Sequence, residues 1–206
     1  MNLLIVSSSQ RTGSQSVKVA NYLAKHSSEF KEVNHIELCR YDLPFWDGDH
    51  KSKYAEASPW TMIAHKIRKA DALILITPEW GGMASPLLKN FLLMCDNKDT
   101  AHKPALLVSV VSGISGAYPI AELRMNAMKN NKLVAIPDHL IIRNVTQVLN
   151  SADEVTQEES QLESDLKQRI DYSLYMLHQY SQALATIRFK HENEPYPEQQ
   201  EYSFGM

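Results

Sequence analysis

Residues Ser7 to Ser16, Ser-Ser-Ser-Gln-Arg-Thr-Gly-Ser-Gln-Ser, crowd hydroxyl donors around one arginine. Ser8, Ser9, Ser14 and Ser16 carry hydroxyls and Arg11 carries a planar cationic fork. A helix start beyond them adds backbone N–H groups that have no acceptor within their own helix. That donor set suits a dianionic phosphate. The same residue types also cap ordinary helices, so an isolated turn of this kind carries both readings. Position favours the phosphate: the stretch follows an apolar run at Leu3–Val6 and precedes a helical pattern, and open α/β sheets bind ligands beyond the carboxyl ends of their strands.

Two further loops carry chemistry of their own. Ala72–Thr77 is the most apolar run of the chain, and Pro78-Glu79-Trp80-Gly81-Gly82-Met83-Ala84-Ser85-Pro86 follows it. Paired glycines let backbone approach a flat ligand without a β-carbon in the way, and Trp80 adds a planar surface. Pro104–Val111 is again apolar and ends in Ser112-Gly113-Ile114-Ser115-Gly116. Together the loops outline a mononucleotide site: phosphate on the first, a planar ring along Glu79–Ala84, and another edge closed by Ser112–Gly116.

The elements that position these loops follow from periodicity. Leu3–Val6 reads as a strand buried on both faces. From Ser14 a helical stripe of Val17, Ala20, Leu23 and Ala24 predicts the first crossover helix. Val33–Leu38 predicts a weaker, edge-type strand, and a long aromatic loop with Phe45 and Trp46 follows; these rings suit a partner interface, a lid or a plug at the end of the core. Ser58-Pro59 opens a helix with Ile63, Ile67 and Ala70 on one face, and Ser85-Pro86 opens another with Leu88, Phe91, Leu92 and Cys95, which makes Cys95 a packing residue. Ile120, Leu123 and Ala127 stripe the next helix, expected to stop near Asn130-Asn131 before a strand at Leu133–Ile136 and a polar bridge with Asp138, His139 and Arg143. A capping box from Thr156 to Glu159 is expected to open a long C-terminal helix striped by Leu162, Leu166, Ile170, Leu174, Leu177, Ser181, Leu184 and Ile187. The alternation predicts one α/β domain over residues 1–190, a doubly wound, flavodoxin-like parallel sheet of five strands in the order 2-1-3-4-5, with a loose tail at 191–206.

The chain has 206 residues, 44% hydrophobic and 22% charged, ordinary values for a globular protein. A net charge of -3 disfavours nucleic-acid binding, which needs a basic surface. Cys39 and Cys95 have no Cys-x-x-Cys spacing and fit a reducing, cytoplasmic location. The N-terminus has no basic leader and its apolar run is too short for a membrane span, so it is expected as a buried strand without membrane association. The triphosphate loop Gly-x-x-x-x-Gly-Lys-Ser/Thr and the dinucleotide fingerprint Gly-x-Gly-x-x-Gly do not occur, the first loop has no cysteine nucleophile, and the histidines show no metal-ligand spacing.

Ser9-Gln10-Arg11-Thr12-Gly13-Ser14-Gln15-Ser16 resembles the phosphate loop of the NAD(P)H-dependent FMN reductases, commonly Gly-Ser-x-Arg-x-x-Ser-x-Asn. Pro78-Glu79-Trp80-Gly81-Gly82 with Pro86-Leu87-Leu88-Lys89-Asn90 is similar to that family's Pro-Glu-Tyr-Asn and Leu-Lys-Asn segment. The resemblance covers roughly Leu3–Ile136. It implies an enzyme with FMN as cofactor and NADPH or NADH as co-substrate, passing a hydride to FMN and then reducing a small acceptor such as a quinone, an azo compound or free flavin. It places Ser9, Arg11, Ser14, Gln15 and Ser16 in the phosphate loop, Pro78, Glu79, Trp80 and Gly81 along the isoalloxazine, and Ser112, Gly113 and Gly116 at the ring's other edge. No side chain is expected to be catalytic and no metal is expected. Ser8, Ser16, Trp80 and Gly81 depart from the family's usual glycine, asparagine, tyrosine and asparagine. Lys89 and Asn90 match its motif and are read as surface or interface residues. A homodimer or homotetramer is implied. The alternative is a flavodoxin-like electron carrier or flavin-binding regulatory module without reductase activity.

Overall fold

The computed structural model describes residues 1–150 and 161–203. Strands β1 (Asn2–Ser7), β2 (Glu32–Glu37), β3 (Ala72–Pro78), β4 (Pro104–Val110) and β5 (Val134–Ile142) form a five-stranded sheet in the order β2-β1-β3-β4-β5. Every neighbouring pair is parallel. This is the flavodoxin-like order that the alternation predicts. The helices are α1 (Gln15–His26), α2 (His50–Lys53), α3 (Trp60–Lys69), α4 (Pro86–Met94), α5 (Asn97–Thr100), α6 (Ala117–Asn126), α7 (Gln161–Ala183) and α8 (Ala185–Asn193).

Both faces of the sheet are covered, which is why β3 and β4 are apolar at nearly every position instead of alternating. Successive side chains still point to opposite faces. Leu73 and Leu75 join Trp60 and Ile63 of α3, Phe91 of α4 and Ile120 of α6 on one side. Ala72, Ile74 and Ile76 join Val19 and Leu23 of α1 and Ile170, Leu174 and Leu177 of α7 on the other. Burying each such leucine or isoleucine contributes roughly 1.5–3 kcal/mol. The chain leaves β1 through α1 toward β2, then returns across the sheet to β3 with its helices on the opposite face. The carboxyl ends of β1 and β3 therefore diverge and open a crevice at this switch point.

The edge character of β2 is visible in its burial: Glu32 is exposed, Val33, Asn34 and His35 are half-buried and Ile36 is buried. The last strand corrects the expectation. It runs to Ile142, so Asp138 and His139 lie within it and do not form a bridge after it. Residues Ala135 to His139 span the register that Ala105 to Leu107 span on β4, so the extra length is taken up as a bulge containing Pro137. An edge strand tolerates a proline because one side of its ladder is unpaired. Arg124 satisfies the bulge, donating to the carbonyls of Ile136, Pro137 and Asp138 at 2.6, 2.9 and 3.2 Å. α6 correspondingly ends at Asn126, ahead of the asparagine pair; Asn131 is buried and bonds the Ala127 and Leu92 carbonyls across the following turn.

The long C-terminal helix is present as α7 and α8, separated by a turn at Leu184. Ser181 weakens the helix there: its hydroxyl donates to the His178 carbonyl, and its own carbonyl accepts from Arg188. Ile170, Leu174, Leu177 and Ser181 are buried as the stripe predicts, whereas Leu162 is 81% exposed. The capping box lies outside the described residues. In the long loop, Trp46 packs on the core while Phe45 is 82% exposed, so the two rings divide the roles expected of them. Asn90 fastens this loop, accepting from the Trp46 N–H at 2.8 Å and donating to the Pro44 carbonyl at 2.9 Å. No described helix is long and apolar enough to cross a membrane.

Candidate functional site

The carboxyl ends of β1, β3 and β4 surround a cavity of about 200 Å³. Ser9, Arg11, Ser14, Gln15 and Ser16 line it from the first loop, Pro78, Glu79 and Trp80 from the second, and Ser112 and Gly113 from the third. Residues remote in sequence thus meet as the sheet topology requires. Gly81 and Gly116, expected beside them, lie outside the lining. A larger cavity of about 730 Å³ lies between Trp46, the end of α4 and the end of α6, and none of the loop residues expected at the site reaches it.

In the first loop the hydroxyls have separate duties. Ser8 is fully buried and its hydroxyl donates to the Ile76 carbonyl at 2.7 Å, so this side chain ties the loop to β3 and is no phosphate donor. Ser14 is the cap of α1, accepting from the Val17 N–H at 3.4 Å, and it also lines the cavity, so capping and lining coexist. Ser9 accepts from the Arg11 N–H at 3.2 Å. The Gln15 Oε1 atom is buried, borders the cavity and has no hydrogen-bond partner among the described residues. At the base of the loop, Ser7 Oγ and His35 Nε2 lie 2.8 Å apart, and burial pushes the imidazole below its ordinary value.

The second loop is a two-residue hairpin. Trp80 and Met83 exchange backbone hydrogen bonds at 3.3 and 3.1 Å, and Gly81 and Gly82 between them have φ of +59° and +78°. Two successive positive φ values define the turn that matches strand twist, and glycine or asparagine favours it. The glycines therefore serve the turn; a β-carbon on Gly81 would meet nothing nearer than Met83 Cε at 3.8 Å. The hairpin is braced at its flanks. The Glu79 N–H donates to the Val110 carbonyl at 3.0 Å, Ala84 N–H to Glu122 Oε2 at 2.7 Å and Ser85 N–H to Thr77 Oγ1 at 2.8 Å. Ser85 also caps α4 and donates its hydroxyl to the Ser8 carbonyl, joining the first two loops.

The third loop is joined to the second by a hydrogen bond from Ser115 to the Glu79 carboxylate. Arg143 donates to the Ile114 and Ser115 carbonyls at 2.6 and 2.9 Å. Gly116 has φ of +102° and starts α6; a β-carbon there would stand 2.4 Å from Ile141 Cγ2, so its glycine is a packing requirement.

Sequence reasoning missed several supports. Glu122, from α6, holds the hairpin through Ala84 and pairs with Lys89 at 3.0 Å, which makes Lys89 a brace. Burial pushes the Glu122 carboxyl up, but the Ala84 N–H and the Lys89 ammonium outweigh it and hold the group below the ordinary carboxylate value. Val145 completes the cavity wall, and its carbonyl accepts from Lys18 of α1. Nothing local marks Glu122 or Val145 as supports, and Lys89, which matches the Leu-Lys-Asn segment, reads in the sequence only as a surface or interface residue.

Residues 1–147 match the NADPH-dependent FMN reductase family. The chain is 25% identical over 142 residues to the NADPH azoreductase of Bacillus sp. (strain OY1-2), covering 69% of this chain and 76% of that one. It is 29% identical over 133 residues to the quinone reductase of Escherichia coli (strain K12), covering 60% and 70%. Its fold is similar to that of an NADH:FMN oxidoreductase in its apo form, at 17% identity and a TM-score of 0.64, over 86% of this chain and 88% of the other. A flavoenzyme NAD(P)H:acceptor oxidoreductase of Paracoccus denitrificans is similar in fold at 16% identity and a TM-score of 0.64, over 88% and 97%.

Proposed function

This chain belongs to the NADPH-dependent FMN reductase family, and from that premise we propose that it reduces a small acceptor of the quinone or azo class, with the cofactor held by the three loops at the sheet's carboxyl edge. It is an enzyme with FMN as cofactor and NAD(P)H as co-substrate. The observation that carries the site is the convergence of the arginine-bearing loop, the tryptophan hairpin and the Ser112-Gly113 loop on one cavity.

The residues present fit the cofactor. Arg11, the serine hydroxyls and the first amides of α1 form a donor set for a phosphate. The Gln15 Oε1 atom is a buried acceptor without a hydrogen-bond partner among the described residues, and a polyol chain brings the hydroxyl donors it lacks. When bound, FMN supplies the two-electron chemistry between the nicotinamide and the acceptor. The chain's own part is binding and placement. Ser9, Arg11, Ser14 and Ser16 would hold the phosphate, Pro78, Glu79 and Trp80 would border the ring through a hairpin fixed at its flanks, and Ser112 and Gly113 would bound the other edge. Trp80 is 37% exposed, so this border is open for a second flat substrate to approach.

The acceptor class is drawn from the relatives named for azo compounds and quinones. A homodimer or homotetramer in the cytoplasm goes with this reading; Met83 and Tyr118, 56% and 70% exposed near the hairpin, offer apolar surface for association, and sedimentation measures it. Family membership favours a reductase over a pure electron carrier. The test is to mix FMN-loaded protein with NADPH or NADH without oxygen and follow the flavin absorbance. Bleaching, followed by recovery on adding a quinone or an azo dye, is expected; persistence of the oxidised spectrum with both nucleotides contradicts the reading.

A further inference from the structure

The first and second loops also meet directly. The guanidinium carbon of Arg11 lies 5.4 Å from the centroid of the Trp80 ring. The two partners are held very differently. Trp80 stands at the start of the hairpin, whose flanks are fixed by Val110, Thr77 and Glu122. Arg11 is exposed, and its backbone N–H donates to Ser9 Oγ at 3.2 Å.

A guanidinium has a flat face and an edge, and all of its N–H donors lie in the plane. A cation–π contact with an indole engages the charge and consumes none of these donors, which stay available for phosphate oxygens. A long flexible side chain already held over a ring has less rotamer freedom to lose when an anion arrives. We propose that Trp80 is a positioning residue for Arg11, so that selection of a phosphate-bearing ligand by the first loop depends on the ring carried by the second. This rests on the reading of Ser7–Ser16 as the phosphate cradle. Among aromatic side chains indole presents the strongest face to a cation. One face of Trp80 therefore serves the arginine, and a flat ligand has the remaining face and the ring edge.

The test measures FMN and riboflavin binding by full-length protein freed of flavin, from the quenching of flavin fluorescence, and reports the ratio of the two dissociation constants. Trp80→Ala should lower the preference for FMN about 2- to 5-fold, the equilibrium equivalent of an exposed cation–π contact. Trp80→Phe should keep most of it, and it guards against a hairpin that fails to form in the alanine variant. In the Arg11→Ala background, Trp80→Ala should change the ratio no further. Equal weakening of both flavins by Trp80→Ala, or an undiminished Trp80 effect without Arg11, would overturn the proposal while leaving the phosphate reading intact. An unchanged ratio in Arg11→Ala alone would overturn both.

Discussion

The loop after β3 and the loop after β1 face the same cavity, but they are anchored differently, the first loop at its base and the hairpin on both flanks. The hairpin's flanking amides donate at 2.7, 2.8 and 3.0 Å to Glu122, Thr77 and Val110. The bonds inside the two loops are alike, 3.3 and 3.1 Å between Trp80 and Met83 and 3.2 and 3.4 Å from the Arg11 and Val17 N–H groups to Ser9 and Ser14, so the difference lies in the anchors. The first loop's strong anchor is Ser8, at its base. The difference suits the proposed site: a surface bordering a flat ring is served by fixed flanks, and a loop proposed to recognise an anion by donors left available for the ligand.

The sharpest way to break this comparison is Arg11→Ala. It should weaken FMN binding about 10- to 100-fold, as the loss of charge-assisted hydrogen bonds predicts, and leave riboflavin binding nearly unchanged. Titration with both flavins checks it. Ser85→Ala tests the joint between the loops: losing the α4 cap and the bond to the Ser8 carbonyl should cost about 1–2 kcal/mol of stability in urea unfolding and weaken FMN and riboflavin alike.

Glu122→Gln sharpens the hairpin side. It should lower stability by about 1 kcal/mol, because the Ala84 N–H keeps a weaker acceptor and Lys89 loses its partner. Its pH dependence has a defined sign. The Glu122 carboxyl titrates below its ordinary value, so its contribution is present at neutral pH and is lost as the pH falls through the folded-state value; the variant should show a shallower acid limb. The smallest effect belongs to His35. Its value is lowered from 6.5, so the unfolded chain takes up a proton that the folded protein resists, and stability falls on acidification below that point. His35→Gln should reduce that slope, measured by thermal melts between about pH 5 and 7.5.

Much of the architecture was legible in the sequence. The uninterrupted apolar runs at Leu3–Val6, Ala72–Thr77 and Pro104–Val111 predict buried parallel strands, and β1, β3 and β4 lie there. Ser14 and Ser85 announce the helix starts they cap. What escaped depends on partners far along the chain. Ser8 reads as a donor like its neighbours, and only the proximity of the Ile76 carbonyl shows that its hydroxyl is committed. Gly116 reads as a permissive loop glycine, and only Ile141, which stands against it, shows that the position excludes a β-carbon. The length of β5 was hidden because Pro137 and Asp138 look like a strand end until Arg124 is seen holding their carbonyls.

By itself the sequence determined the strand–helix alternation, the sheet order it implies and the three loops that must share one edge. Those follow from hydrophobic period and from turn chemistry, which act between near neighbours. The tertiary structure alone decided which hydroxyls stay free, that the paired glycines serve a hairpin, that Glu122 and Lys89 brace it, and that Arg11 meets Trp80. Hydrogen bonding and close packing are settled between residues distant in sequence, and a side chain's chemistry shows only what it can offer until the fold supplies its partner.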